Sequence, residues 1–109
     1  MTGGELQEHL QATNGDLRRV VARAALLLDV AGRQLSTLRS TYPVWSIDRQ
    51  RDDAGRVWWT AMLRTPFTVE MAAAGIWETV WQPDAIALAA TLAWQSALLD
   101  TVRAGARGP

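Results

Sequence analysis

The chain has no cysteine, no lysine, one histidine, one phenylalanine, one tyrosine and no net charge. Each shortage removes a class of chemistry. Without cysteine there are no disulfides, no thiolate zinc sites and no thiol nucleophiles. With His9 as the only imidazole, a histidine-based metal cluster or a Ser-His-Asp arrangement has one residue to draw on. His9 lies in a polar stretch and reads as a solvent-facing helix residue. Eleven basic residues, all arginine, balance eleven acidic ones, so the surplus positive charge that draws a protein to nucleic acid or anionic lipid is missing. A neutral chain is also poorly soluble near neutral pH unless a partner covers part of its surface. The arginine bias, beside abundant Ala, Leu, Val and Gly, fits a GC-rich genome; arginine's planar fork also suits stacking on tryptophan.

No segment has a leader or anchor pattern. MTGGELQEHL is polar and acidic, unlike a signal peptide. The longest apolar run, Ala85 to Leu99, is broken by Thr91, Gln95 and Ser96 and is shorter than the ~20 residues a spanning helix needs. The expectation is a cytoplasmic protein with no membrane contact. A length of 109 residues with 49% hydrophobic and 20% charged content fits one folded domain, 1–109, with 1–15 a partly ordered lead-in and 104–109 a frayed tail.

What is present reads as an α+β chain. Leu10, Leu17, Val21, Ala24, Leu28, Ala31, Leu35 and Leu38 follow steps of three and four, a heptad-like stripe on a long amphipathic N-terminal helix. Thr13-Asn14-Gly15-Asp16 leaves two readings open. Asn14 or Asp16 caps a helix from about Leu17 to Ser40, with a shorter helix before it, or Asn14 occupies a core position of one long helix. Val20, Ala25 and Leu27 widen the stripe, which favours packing on its own domain and leaves a helical dimer open. Tyr42-Pro43 ends the helix.

Val44 to Arg49 and Val57 to Leu63 are the arms of an antiparallel hairpin, joined by the polar turn Arg51 to Arg56 with Gly55 late in it. Alternation puts Val57, Trp59, Ala61 and Leu63 on the core face with Trp45 and Ile47; Trp58, Thr60, Met62 and Arg64 share the other face. Thr68 caps a short helix through Ala74 that Gly75 stops. Ile76 to Trp81 alternates as a third short strand. Gln82-Pro83-Asp84 opens an apolar C-terminal helix, reaching about Arg103 and packed on the sheet. Its apolar residues, among them Ile86, Leu88, Leu92, Trp94 and Leu99, go most of the way round, so it calls for cover on more than one side.

Tyr42-Pro43-x-Trp45-x-Ile47, Gly55-Arg56-x-Trp58-Trp59-x-Ala61, Ala73-Ala74-Gly75-Ile76 and Gln82-Pro83-Asp84-Ala85-Ile86 together resemble a group of small uncharacterised actinobacterial proteins with a YPxWxI, GRWWxA and AAGL pattern. The resemblance covers about Tyr42 to Leu99. The chain departs from it in a longer hairpin turn and a more apolar last helix. The resemblance implies the fold and the genome of origin; it brings no activity.

No constellation volunteers for catalysis. Asp52-Asp53 sits in a turn where Asp serves local hydrogen bonds, Gly3-Gly4 precedes no strand-turn-helix, and no serine has a nucleophile-elbow context. The expectation is no enzyme, no cofactor and no metal. The outlying feature is tryptophan: six in 109 residues, five of them between Trp45 and Trp81. Most of this is core filling. The rest marks a candidate interaction surface, Trp58, Met62, Arg64, Trp77 and Trp81, built from residue types enriched at protein interfaces. The leading functional expectation is a non-catalytic protein-interaction or self-associating module, its partner another protein or a second copy in a homodimer. Alternatives are a small apolar ligand held in a Trp-lined pocket, and nucleic-acid binding by topology alone. Helix, three strands and helix is the element order of double-stranded-RNA-binding domains, but Pro83-Asp84 stands where a basic cluster belongs.

Overall fold

In a computed structural model of the chain, the backbone is described for residues 3–106 and the side chains for residues 13–105. The elements run α1 (Gly3–Thr41), β1 (Trp45–Arg51), β2 (Val57–Leu63), α2 (Val69–Ala73), β3 (Thr79–Gln82) and α3 (Ala85–Ala106). The architecture is α+β, and the chain divides into two compact units, Met1–Arg33 and Gln34–Pro109.

The described residues of the first unit lie in α1, a single helix of 39 residues. It passes through Asn14 and Gly15 unbroken, so neither Asn14 nor Asp16 is a cap, and the segment expected as a lead-in is helical from Gly3. A glycine inside a helix costs ~1 kcal/mol relative to alanine, which the Ala- and Leu-rich turns that follow it can absorb. Exposed Asp16–Arg19 and Asp29–Arg33 pairs lie along the helix. Residues spaced three or four apart meet on one helix face, and such pairs add only a few tenths of a kcal/mol. The side chain of His9 lies outside the described residues.

The second unit holds the sheet, in the order β1-β2-β3, antiparallel throughout. The last turn of α1 ends with the Tyr42 N–H on the Leu38 carbonyl at 2.9 Å, and Pro43 follows. Arg39 in that turn donates from Nε to the Ile47 carbonyl at 2.9 Å and lies 3.7 Å from Asp48. It thereby occupies a carbonyl of β1, the edge strand, where unpaired backbone groups otherwise invite another chain.

Register fixes the faces. Trp45 stands opposite Leu63, and Ile47 opposite Ala61, which in turn faces Val80. All five are buried, with Trp59. Val57, expected among them, is only half-buried, because it is the first residue after the exposed turn. Helix α3 covers this face. Leu88, Leu92, Gln95 and Leu99 recur in steps of four, three and four and are almost wholly buried. Its other side is not covered: Ile86, Ala90, Ala93 and Ala97 are exposed, so the cover expected on more than one side is found on one. Taken over Ala85–Gly105, 21 residues, α3 is long and apolar enough to cross a membrane by length and composition, although its uninterrupted apolar run is shorter. Here one stripe of it is the lid of the core.

The third strand is shorter than the alternation implied. β3 starts at Thr79; Ile76 to Glu78 precede it, and of these only Glu78 reaches β2, its carbonyl accepting from the Leu63 N–H at 2.9 Å. The reason lies in α2. Thr68 Oγ1 accepts from the Met71 N–H, capping the helix start. At the other end the Gly75 N–H reaches the Ala72 carbonyl and the Ile76 N–H reaches that of Met71, with Gly75 at φ 88°. That pair of bonds is a Schellman stop, and the apolar residue after the glycine packs inward. Ile76 is therefore buried as part of the helix stop, before the strand begins. At α3, Asp84 is the cap, its Oδ1 accepting from the Ala87 N–H at 2.7 Å, and Pro83 lies before the helix and not in its first turn. α3 extends to Ala106, past the expected end at Arg103; residues 107–109 lie outside the described ones.

Candidate interaction surfaces

The outer sheet face is assembled by the hairpin turn. Asp52 organises it: Oδ1 accepts from the Ala54 and Arg56 N–H groups, and Oδ2 accepts from the Trp58 indole N–H at 2.9 Å. Gly55, at φ 83°, supplies the left-handed residue such a turn requires. The Trp58 hydrogen bond, then the Arg56 amide, hold the Asp52 carboxyl below the usual aspartate range. The Arg56 guanidinium lies 4.9 Å from the centre of the Trp58 ring, and Trp81 meets the same ring edge-on at 6.3 Å. Trp58 is thus held on three sides and half-buried.

Beside it, Met62 is 53% exposed and Trp81 50% exposed. They frame a shallow depression of about 150 Å³ whose polar side is Ser46, Asp48, Gln50 and Thr60. Thr60, on this outer face, is nevertheless buried between its cross-strand neighbours Asp48 and Trp81. Arg64 lies just beyond β2, exposed, with its N–H on the Val44 carbonyl.

Of the five surface residues expected from the sequence, Trp58, Met62 and Trp81 therefore share one face, and Arg64 follows them at the strand end. Trp77 does not join them. It precedes β3, and its ring packs edge-on against Trp94 of α3 at 5.1 Å. Both rings are about half exposed. The cause is Gln95, a residue the sequence offered only as an interruption of an apolar run. Fully buried, it accepts from the Trp77 N–H at 2.7 Å through Oε1 and donates from Nε2 to the Gly75 carbonyl at 3.3 Å. One amide thus ties the α2–β3 connection to α3 and draws Trp77 away from the sheet face.

The exposed apolar residues foreseen least are on α1. Leu17, Val20, Val21, Leu26, Leu27 and Leu28 are all more than half exposed. The sequence placed all of these but Leu26 on the apolar stripe and favoured its packing within the domain; their exposure is the difference. The remaining arginine stacking is internal, with Arg49 lying 5.2 Å from the Trp59 ring.

Among the described residues no group of three or more His, Cys, Asp or Glu side chains is placed to hold a metal ion. A further open cleft of about 580 Å³ lies between Met71 of α2 and Val102 of α3, with Glu70 and Arg103 at its rim. Comparison with protein-family models, with curated proteins and with solved structures finds no match to this chain.

Proposed function

We propose that the protein is a non-catalytic interaction module whose apolar surface is covered in use by another protein chain. One observation carries the reading. Five large aliphatic side chains, Leu17, Val20, Val21, Leu27 and Leu28, stand more than half exposed along one face of α1. Soluble chains seldom leave a contiguous apolar patch of more than a few hundred Å² open without a partner for it. Zero net charge points the same way, since nothing in the charge balance keeps such a surface apart from its like. The Trp58, Met62 and Trp81 face supplies a second, smaller contact of the type found at interface centres.

The ligand reading has less behind it. The 580 Å³ cleft has a suitable volume for a small molecule, but it is open and its lining holds no tryptophan. Light scattering on a sizing column, together with a dye that fluoresces on apolar surfaces, tests the proposal. An oligomer, or a monomer that binds the dye strongly, is expected. A monomer that binds no dye refutes it.

A further inference from the structure

The apolar stripe on α1 keeps a seven-residue period. Counted from Leu10, the first position of the repeat falls on Asn14, Val21, Leu28 and Leu35, and the fourth on Leu17, Ala24, Ala31 and Leu38. An unpartnered helix has 3.6 residues per turn, so a strict 3.5-residue stripe drifts round it. A stripe that holds this period suits a second helix coiled about the first, and the part of it that the protomer leaves open, Asn14 to Leu28, spans about two of the four heptads. The structure separates the two ends of the stripe. Leu38 is buried in the second unit's core, while Leu17 is 60%, Val21 59% and Leu28 64% exposed. The register continues where no side chain of the chain covers it.

We infer that the occupant of this face is a second copy of the chain, its α1 parallel and in register with the first, in a two-stranded coil through Asn14, Leu17, Val21, Ala24 and Leu28. The inference rests on the interaction-module reading above and names its partner.

Three observations select this arrangement. The first is Asn14. The unbroken helix puts an amide at a first heptad position, where it would be buried in the seam and costly without a partner. In a parallel, in-register pair it meets Asn14 of the second copy, and a single such asparagine sets register and strand number at some cost in stability. In an antiparallel pair that sets Leu17 opposite Leu28, Asn14 falls opposite Ala31 and finds no hydrogen bond.

The second observation is the fit of the flanks. In a parallel coil the seventh heptad position packs beside the fifth position of the next heptad on the partner. Here that sets Val20 beside Ala25 and Leu27 beside Gly32 of the second copy, a large side chain against a small one each time. Within the protomer nothing requires glycine at 32, because a Cβ there would meet no atom within 4 Å. A gap reserved for the partner's Leu27 explains it.

The third is area. The five large side chains Leu17, Val20, Val21, Leu27 and Leu28, each with on the order of 100 Å² open, make up to about 1,000 Å² available for burial as a pair, at the lower bound for a specific interface. The alanines of the seam add to this.

The test uses the full chain and two variants. Wild-type protein at about 100 μM, a concentration that populates any complex with a micromolar Kd, is expected to scatter light as a dimer of the 12.0 kDa chain. Val21→Glu is expected to give a monomer whose near-ultraviolet tryptophan signal is unchanged, since residue 21 lies outside the second unit. The chain has no cysteine, so Leu17→Cys can cross-link only to itself. Parallel helices bring the two sulfurs together, whereas the antiparallel pairing holds those positions ~16 Å apart, beyond disulfide reach. Air oxidation is expected to convert most of the Leu17→Cys protein to a covalent dimer.

A wild-type oligomer that Val21→Glu leaves intact, or that Leu17→Cys does not cross-link, overturns the inference and leaves self-association standing. A dye-binding wild-type monomer overturns the second copy and leaves another partner. A monomer without dye binding overturns both readings.

Discussion

Replacing Gln95 with leucine isolates a fully buried amide that binds backbone on both sides. The shape change is small, and the chemistry lost is two hydrogen bonds, from the Trp77 N–H and to the Gly75 carbonyl. A buried backbone group left unpaired costs ~1–3 kcal/mol. Two such groups therefore cost about 4 kcal/mol, offset by ~1–2 kcal/mol for the extra apolar surface leucine buries. The expected net loss is about 2–3 kcal/mol. With a urea dependence of ~1–1.5 kcal/mol per molar for a chain of this size, the unfolding midpoint falls by about 2 M. Tryptophan fluorescence reads the transition, and amide exchange at Trp77 reads the local cause. Gln95→Glu sharpens the test. Its carboxylate can accept from Trp77 but sets a second oxygen against the Gly75 carbonyl; once protonated it can make both bonds. That variant gains stability as pH falls, because burial favours the neutral form of the acid. An unchanged or higher midpoint for Gln95→Leu, with Trp77 exchanging as slowly as before, would refute the claim that this amide holds the α2–β3 connection.

Gly75→Ala is expected to cost about 1–2 kcal/mol, because φ 88° is a left-handed conformation that disfavours a Cβ. The cost is conformational: the added Cβ meets Leu98 at an ordinary 4.0 Å, so thermal melting should show the loss while the Trp77–Trp94 near-ultraviolet signal persists. Asp84→Ala removes the α3 cap and is expected to lower stability by about 1 kcal/mol in urea titration. Asp52 governs an acid-side effect. Its carboxyl is held below the usual range in the folded state, so its contribution is present above the unfolded value and is lost as pH falls through the folded one. Asp52→Asn should flatten the acid limb of a pH-stability profile read by Trp58 fluorescence, and a profile identical to wild type would count against the turn geometry.

The parts of this molecule that were legible in the sequence are those decided by neighbours in the chain. Alternation alone separates Trp59 and Ala61 from Trp58 and Met62, because a strand has only two faces. The Thr68 cap, the Gly75 stop and the Tyr42-Pro43 break follow from the conformations those residues prefer. What was not legible depends on side chains reaching across the fold. Ile76 alternates with Val80 as a strand would, yet it is buried as the anchor of a helix stop. Trp77 looks like a sheet-face residue until Gln95, eighteen positions later, takes its N–H. The α1 stripe is the case in which local information sufficed and the meaning did not. A width of apolar helix surface is the same whether the cover comes from the chain itself or from outside. Exposure separates the two, and once it does, details that carried little weight alone acquire a reason. Under the proposed pairing, Asn14 need not be a failed cap, nor Gly32 a weak point in a helix: the first meets its like across the seam and the second leaves room for Leu27 of the second copy.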